Sequence, residues 1–473
     1  MSRLIVVSNR VAMPSRGKPQ AGGLAVAVNA ALKHRSGIWF GWSGNVVDPP
    51  DSRPRLLTRG EITYAVTDLS TADLQEYYSG FANRVLWPIL HYRVDLAEFT
   101  RSDLSGYIRV NETFANQIST ILEPDDVIWV HDYHLMPLAR YLRARGHTNK
   151  IGFFLHIPLP PPDILRALPH HAEIVGAMAD YDVVGFQTEN DRDNFARYLM
   201  VNGGTVSPDG NTYDVHGRSV SLGAFPVAID TASYAKTARR ASRSQFISTM
   251  KGSLGQSQLI MGVDRLDYSK GIGNRLDAFE TFLEDNSDWL GRVSYLQITP
   301  KSRSDIPEYI EMDRMVSTRV GQINGTYGNV SWTPIRYINQ TYSRTALAGL
   351  YRLARVALVT PLRDGMNLVA KEFVAAQDPE DPGALVLSHF AGAVSELRDG
   401  ALVVNPHETE GMAAAIRRAL EMPLEERKVR HARMMRALLA NNIDCWAKSF
   451  LKALEDARPR ATPVNNIRTL FAL

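Results

Sequence analysis

The chain has 473 residues, of which 45% are hydrophobic and 22% are charged, and its formal net charge is +3. These fractions are ordinary for a globular protein, and the length predicts two domains, because a single core seldom supports so many residues. The nearly balanced charge argues against a nucleic-acid partner and favours small anionic ligands for the cations.

The cysteine content and the hydropathy of the chain indicate the cellular compartment in which we expect the protein. The one cysteine, Cys445, excludes an intrachain disulfide and a thiolate metal cluster, which fits a reducing cytoplasm. The opening apolar run, residues 4–7, is too short for a signal peptide, and no stretch approaches the ~20 apolar residues of a membrane-spanning helix. We therefore expect a soluble cytoplasmic protein with no membrane partner.

The first half of the chain alternates short apolar runs with helical patterns. A glycine turn at Gly22 and Gly23 leads into an apolar helix, and further helices are predicted at residues 135–145 and 191–200. Such alternation predicts a parallel sheet covered by helices on both faces. The predicted strands are residues 4–7, 38–42, 127–130, 151–155, 183–186 and, more weakly, 220–227.

A second alternating series follows and ends in helices predicted at residues 409–420 and 424–439. The predicted fold class is α/β, with two Rossmann-like, doubly wound parallel-sheet domains, residues 1–235 and 236–443, facing a central cleft. The predicted strands of the second series are residues 259–263, 293–298, 356–359, 385–388 and 401–405.

The most informative segment is TPLRDGMNLVAKE, residues 360–372. It follows an apolar strand, breaks at Pro361 and Gly365, and resumes a helical pattern at Leu368. A helix start of this kind presents unpaired N–H groups and a positive dipole end, which suit a phosphate. Arg265 and Lys270 follow another strand, so they project from the sheet edge where ligands of α/β folds gather.

Two further polar positions also follow apolar strands. Asp132 lies in the run HDYH, whose His131, Asp132 and His134 are also possible metal-ligand types, although no third ligand on one strand face is evident. His156 follows the strand predicted at residues 151–155. A histidine in that position is more often structural, but the prolines after it stiffen its loop and favour a functional role.

Nine blocks in a fixed order resemble a known family. They are Ser-Asn-Arg at residues 8–10, Gly22-Gly23, EYYSGFANRVLWP, VIWVHDYHL, GFFLHIPLPPP, GFQTENDRDNF, RLDYSKG, ITPKSR and DGMNLVAKE. From about residue 2 to about residue 457, the chain resembles the retaining, bacterial-type trehalose-6-phosphate synthases, which are GT-B glycosyltransferases of family 20. The resemblance implies a last helix, about residues 444–473, that returns to the first domain.

This resemblance implies a hexosyltransferase of trehalose biosynthesis, with an expected role in osmotic stress. Its substrates would be UDP-glucose and glucose 6-phosphate, its product would be trehalose 6-phosphate, and both anomeric centres would be α. No metal or other cofactor is implied, and a homo-oligomer, dimer or tetramer, is expected. A front-side route is implied, in which the leaving phosphate oxygen accepts the proton of the acceptor hydroxyl.

The resemblance also implies a donor site. Arg265 and Lys270 would neutralise the diphosphate, Asp364 would hold the sugar, Glu372 the ribose hydroxyls, and Tyr342 would lie near the base. The remaining donor contacts would come from close backbone approaches at Gly22, Gly23, Asn367, Leu368, Val369, Ala370 and Lys371.

An acceptor site is implied in the same way. Arg10 and Arg303 would bind the phosphate of the acceptor, together with the hydroxyl of Tyr77, and Trp87 would form an aromatic platform. Asp132 would bind the acceptor sugar, and His156 would contact the donor sugar at the reaction centre. From the residues alone, Tyr77 and Trp87 are equally well explained as core side chains.

Three alternatives remain open. Asp364 and Glu372 could form a glycosidase pair, although their placement in one loop and helix favours a nucleotide. The same fold could use another substrate, through glucosylglycerol-phosphate synthesis, pseudo-glycosyl transfer, or a GDP- or ADP-glucose donor. A catalytically silent sugar-phosphate sensor is the third alternative, which the presence of Arg265, Lys270 and Asp364 disfavours.

Overall fold

The computed structural model describes residues 2–13, 28, 32, 37–215, 217–301 and 306–457. The chain divides into two compact units, the first ending at Pro226 and resuming at Asp444, and the second spanning Val227–Ile443. Helix Thr231–Ala241 packs on helices Arg344–Leu353 and Leu368–Ala376 of the second unit. The second unit therefore begins before residue 236, where the sequence pattern placed the domain boundary.

The first unit is built on a ten-stranded sheet with the order β3-β4-β2-β1-β5-β6-β7-β10-β9-β8. Its central strands are parallel, and antiparallel pairs occur only toward the two edges. The strands are β1 Leu4–Arg10, β2 Gly37–Val46, β3 Arg55–Arg59, β4 Ile62–Leu69, β5 Val127–His131, β6 Ile151–Phe154, β7 Val183–Phe186, β8 Thr205–Val206, β9 Thr212–Val215 and β10 Arg218–Ala224.

Helices cover this sheet, and one of them is unusual. Residues Leu74–Leu86 form a π-helix between two short α-helical turns, a conformation that is rare and often lies at functional sites. The α-helices are Thr71–Asp73, Trp87–Leu90, Arg101–Ser119, Leu138–Ala144, Pro162–Leu165, His171–Ile174, Glu189–Val201 and Ile443–Asp456, and the 3-10 turns are Val94–Leu96, Tyr133–Leu135 and Gly176–Asp180.

Helix Ile443–Asp456 brings the chain back onto the first unit. The Phe450 ring stacks on Trp129 at 4.7 Å between ring centroids. A Cβ atom on Gly152 or on Gly185 would lie 2.8 Å from the Phe450 ring, so glycine at both positions makes room for it. The described part of the last helix is therefore an integral layer of the first unit.

The second unit has a six-stranded sheet, all parallel, with the order β13-β12-β11-β14-β15-β16. Its strands are β11 Gln258–Val263, β12 Val293–Ile298, β13 Ile335–Ile338, β14 Val356–Val359, β15 Ala384–Ser388 and β16 Leu402–Val404. Its helices are Thr231–Ala241, Gln245–Leu254, Ile272–Asp285, Pro307–Tyr327, Arg344–Leu353, Leu368–Ala376, Val394–Leu397, Thr409–Glu421 and Leu424–Ala440, with 3-10 turns at Tyr268–Lys270 and Ser287–Trp289.

The α/β fold class and both parallel sheets are confirmed, and every predicted strand is present. Along the parallel strands, the strand order changes direction between β1 and β5 in the first unit and between β11 and β14 in the second. Ligands of open α/β sheets bind at the carboxyl ends of strands beside such a reversal. Among the helices in the described ranges, none is long and apolar enough to cross a bilayer.

Candidate active site

The reversal point of the second unit brings Lys270 and Asp364 together. Lys270 ends the 3-10 turn after β11, Asp364 lies in the loop after β14, and Lys270 Nζ is 2.5 Å from Asp364 Oδ2. Only 11% of the Lys270 side chain and 14% of the Asp364 side chain is exposed. Arg265, two residues beyond the end of β11, is exposed to solvent. Two of the predicted donor residues thus form one partly buried ion pair.

The loop that carries Asp364 is held by its own backbone. Asp364 N–H donates to the Phe390 carbonyl at 3.0 Å, and Gly392 N–H donates to the Asp364 carbonyl at 3.1 Å. A Cβ atom on Gly392 would lie 1.8 Å from the Gly365 carbonyl oxygen, so only glycine permits this close approach. The loops after β14 and β15 therefore fix the position of the carboxylate.

Arg275 holds together the segments that form this site, and the sequence reasoning missed it. Its side chain is 1% exposed and donates to Asp264 Oδ2 at 2.8 Å, to Thr360 Oγ1 at 3.0 Å and to the Lys270 carbonyl at 3.2 Å. Burial raises the pKa of Asp264, and the charge of Arg275 opposes that shift. The network joins the segment after β11 to the segment after β14. An arginine within an apolar helix face was the only signal for it in the sequence.

Helix Leu368–Ala376 starts without a side-chain cap. Its N-cap residue, Asn367, has a φ of 70° and makes no capping hydrogen bond. Asn367 Oδ1 is buried without a partner in the described part of the chain. Leu368 and Val369 are partly exposed, whereas Ala370 is buried. The first N–H groups of this helix thus lack a side-chain cap, as an anion-binding helix start requires.

Neighbouring residues of this helix have different environments. Lys371 is 0% exposed and donates to the Val227 carbonyl at 2.8 Å, so its side chain is part of the interior. Glu372 is partly exposed. Burial raises the pKa of Glu372 to about 7, and the charge of Arg344 opposes the shift. Among the donor residues predicted here, only Glu372 offers a side-chain carboxyl on this helix.

Tyr342 lies beside the helix that carries Arg344. Its partly exposed ring packs on Phe246 with ring centroids 5.8 Å apart. Arg344 Cζ lies 4.8 Å from the ring centroid of Tyr234. The contacts described for Tyr342 do not include Lys270 or Asp364, and its role near a base stays a prediction.

The reversal point of the first unit carries Arg10, which ends β1 and is exposed. Arg10 Cζ lies 5.5 Å from the Trp42 ring centroid, and Trp42 in turn lies 5.8 Å from the ring of Tyr78. Tyr78 stacks on His134 with the two planes at 10°. Buried Trp42, partly exposed Tyr78 and exposed Arg10 form a cluster that the sequence reasoning missed.

Tyr77 and Trp87 are core residues in this structure. Tyr77 is 0% exposed, and its hydroxyl donates to Asn9 Oδ1 at 2.8 Å. Trp87 is 4% exposed and packs on His91 with ring centroids 4.1 Å apart. Both side chains are buried, and their predicted contacts with an acceptor stay a prediction. The tyrosine that is partly exposed is the next one, Tyr78.

Asp132 and His156 meet at the carboxyl ends of β5 and β6. Asp132 has a φ of 75°, a strained conformation for a non-glycine residue, and its Oδ1 accepts the His156 N–H at 3.3 Å. His156 Nε2 is 3.0 Å from His131 Nδ1. Burial lowers the pKa of His156 to about 3 and that of His131 well below its usual range. Both imidazoles are therefore neutral near pH 7 and act as hydrogen-bonding groups.

The two histidines of HDYH each contact another ring. His131 faces His156, and His134 stacks on Tyr78. Within the described ranges, no group of three or more His, Cys, Asp or Glu side chains is placed to hold a metal ion.

Three predicted site residues, Gly22, Gly23 and Arg303, lie outside the described residues.

Three comparisons relate the chain to known proteins. The chain matches glycosyltransferase family 20 over residues 3–456. It is 53% identical over 463 residues to a trehalose-6-phosphate synthase of Sinorhizobium fredii, which covers 97% of this chain and 100% of the relative. A crystal structure of an alpha,alpha-trehalose-phosphate synthase (UDP-forming) from Burkholderia xenovorans in complex with glucose-6-phosphate has a TM-score of 0.92 and 49% identity, covering 96% of this chain and 100% of that one. An E. coli structure bound with UDP-2-fluoro glucose also has a TM-score of 0.92, with 45% identity, covering 97% of this chain and 100% of that one.

Proposed function

We infer that this chain, which belongs to glycosyltransferase family 20, transfers glucose from UDP-glucose to glucose 6-phosphate and releases trehalose 6-phosphate and UDP. Relatives in this family are trehalose-6-phosphate synthases, and solved relatives hold glucose-6-phosphate or UDP-2-fluoro glucose. In the chain itself, the observation that carries the inference is the Lys270–Asp364 pair beside an uncapped helix start. A cation, a carboxylate and free N–H groups are what a sugar diphosphate requires.

The donor is proposed to bind to the second unit. The N–H groups after Asn367 and the cations of Lys270 and Arg265 would stabilise the diphosphate as its negative charge grows during bond cleavage. Asp364, whose position is fixed by the hydrogen bonds of its loop, would accept hydrogen bonds from hydroxyl groups of the glucose. The ionised carboxylate of Glu372 would accept hydrogen bonds from the two ribose hydroxyls.

The acceptor is proposed to bind to the first unit. The exposed guanidinium of Arg10 can bind phosphate oxygens with two parallel hydrogen bonds, and the Tyr78 hydroxyl is proposed as a further ligand because its ring packs on Trp42, which Arg10 covers. Arg303 is a further phosphate ligand on the family resemblance alone. Asp132, at the end of β5, would orient the acceptor sugar, and neutral His156 would contact the donor sugar.

The chemistry follows from these roles. The bond between glucose C1 and the UDP oxygen breaks, and C1 bonds to O1 of glucose 6-phosphate on the same face, so the configuration is retained. The proton of that O1 hydroxyl passes to the departing phosphate oxygen. The enzyme contributes positioning and charge stabilisation, with no covalent intermediate on a side chain.

One experiment tests the function and its alternatives. The protein is incubated with UDP-, GDP- or ADP-glucose, each with glucose 6-phosphate, with glycerol 3-phosphate or with no acceptor, and NMR identifies the products. An α,α-linked disaccharide phosphate formed only from UDP-glucose and glucose 6-phosphate is the expected result. A different productive pair would replace the substrate assignment, and tight binding without any product would identify a sensor. The Arg265→Ala variant serves as the low-activity control.

Three further properties are proposed from the same family membership. Activity should persist after dialysis against EDTA, because no metal is assigned a role in the transfer. Light scattering should find a homo-oligomer, dimer or tetramer. A cytoplasmic location is proposed because nucleotide sugars and sugar phosphates are cytoplasmic metabolites, and fractionation of cells would test it.

A further inference from the structure

Lys371 lies in helix Leu368–Ala376, the proposed donor helix, and its side chain is fully buried. Its side chain is 0% exposed, forms an ion pair with Glu396 and donates to the Val227 carbonyl at 2.8 Å. The other oxygen of Glu396 accepts from Asn441 Nδ2 at 2.9 Å. One buried ammonium group thus joins helix Leu368–Ala376 to two distant parts of the chain.

Those two parts are the places where the chain passes between the units. Val227 is the first residue of the second unit, and Asn441 lies two residues before Ile443, its last residue. We call residues 227–231 and 438–443 the crossing segments. They are also tied directly to each other, because the Thr231 hydroxyl donates to the Leu438 carbonyl at 3.2 Å. Within the second unit, both crossing segments therefore connect to the donor helix through Lys371 and Glu396.

Stability alone is a poor explanation for this arrangement. Burial lowers the pKa of Lys371, and the charge of Glu396 and its hydrogen bond to Lys371 oppose that shift. A buried ion pair of this kind is often no more stabilising than apolar side chains of similar volume. What the ion pair adds is a directional connection, since the hydrogen bonds of Lys371 and Glu396 join specific atoms of the helix and of the crossing segments.

We propose that Lys371 is a positioning residue that fixes the donor-binding helix to both crossing segments, so that donor binding is transmitted to the connections between the units. In the proposed site, the donor contacts the first turn of the helix. The fourth residue of the helix, Lys371, connects the helix to the crossing segments and lies less than ~6 Å along the helix axis from the first residue. The proposal rests on the proposed donor site but not on the identity of the acceptor, so binding of UDP alone tests it.

Hydrogen exchange with and without UDP tests the connection. In the wild-type protein, saturating UDP should slow exchange about 10-fold in both crossing segments as well as at the donor helix. In a Lys371→Met/Glu396→Gln variant, which replaces the pair by neutral side chains of similar size, UDP should protect the helix only. Equal protection of the crossing segments in both proteins, or none in the wild type, would overturn the proposal.

Kinetics separates positioning from a structural role. The double variant should keep UDP affinity within about 3-fold but lose about 10²-fold in kcat, the effect expected when reacting groups shift by about 1 Å. Lys428→Met, which breaks an exposed pair with Glu380, is the matched control and should keep wild-type kcat. Wild-type kcat in the double variant, or a parallel loss of UDP affinity and kcat, would contradict the positioning role. If the single Lys371→Met variant fails to fold, the double variant still decides, because it leaves no buried charge unpaired.

Discussion

Replacing Glu372 by Gln should stabilise the protein at alkaline pH. Burial raises the pKa of Glu372 from 4.5 to about 7, a difference of about 2.5, which corresponds to about 3 kcal/mol. Because the pKa is higher in the folded state, the folded protein favours the neutral carboxyl, and the cost of its charge grows as pH rises from 4.5 through 7. The gain in unfolding free energy for Glu372→Gln should be about 3 kcal/mol at pH 8 and under about 1 kcal/mol at pH 5.

The same substitution should weaken donor binding. Hydrogen bonds from the two ribose hydroxyls to a charged acceptor contribute about 1.5–3 kcal/mol, so UDP-glucose affinity should fall about 10- to 100-fold at pH 8. As pH falls below 7, protonation of Glu372 should lower the wild-type affinity toward that of the variant. The pH dependence of UDP-glucose binding should therefore be much smaller in Glu372→Gln.

Urea unfolding at pH 5 and pH 8 measures the first effect, and calorimetric titration with UDP-glucose between pH 5.5 and 8.5 measures the second. UDP-glucose is preferred to UDP because its phosphates do not titrate in this range. Glu380→Gln, at an exposed position, is the control and should change neither quantity. An equal gain in stability at both pH values, or wild-type donor affinity in the variant, would refute the reasoning.

Three other substitutions test the rest of the site. Lys270→Ala should lower kcat about 10²- to 10³-fold while thermal unfolding changes little, and near-normal kinetics would remove Lys270 from the mechanism. Arg275→Met should lower the unfolding free energy, measured by urea unfolding, by about 3–5 kcal/mol, because the buried carboxylate of Asp264 loses its partner. Adding Asp264→Asn to this variant should recover part of that loss. If nothing is recovered, the unpaired charge of Asp264 is not the cause of the loss. Tyr78→Phe should raise KM for glucose 6-phosphate several-fold, whereas Tyr77→Phe should mainly reduce stability by about 1 kcal/mol. The reverse outcome would support the prediction that Tyr77 binds the acceptor.

The central strands were predictable because they are buried on both faces and appear as continuous apolar runs. β14, Val356–Val359, is fully buried and was predicted at its true bounds. β3, Arg55–Arg59, was missed because all five of its residues are exposed at the sheet edge. β4, Ile62–Leu69, was missed as well, since polar residues interrupt its apolar pattern. Edge pairing leaves little trace in hydropathy, whereas burial on both faces leaves a clear one.

The loops that form the site were predictable from the sequence, but the side chains of those segments that face the site were not. The placement of Lys270 and Asp364 in one site was predicted from two strands that end at the same sheet edge, whereas their ion pair was not predicted. Sequence motifs do not say which of two adjacent residues on a helix faces a ligand, because neighbours differ by ~100° around the axis. Tyr77 and Tyr78 illustrate this limit, since only packing of the π-helix places one in the core and leaves the other partly exposed.

The last helix has a consequence for how the protein is made. Residues 444–457 complete the first unit, and Phe450 fills the space above Gly152 and Gly185. During synthesis the ribosome therefore releases the whole second unit before the first unit can close its sheet face. Until the last helix has been synthesised, the aromatic side chains around Trp129 in the nascent first unit lack the Phe450 ring that covers them in the folded protein. The first unit therefore begins to be synthesised before the second unit but completes its fold after it.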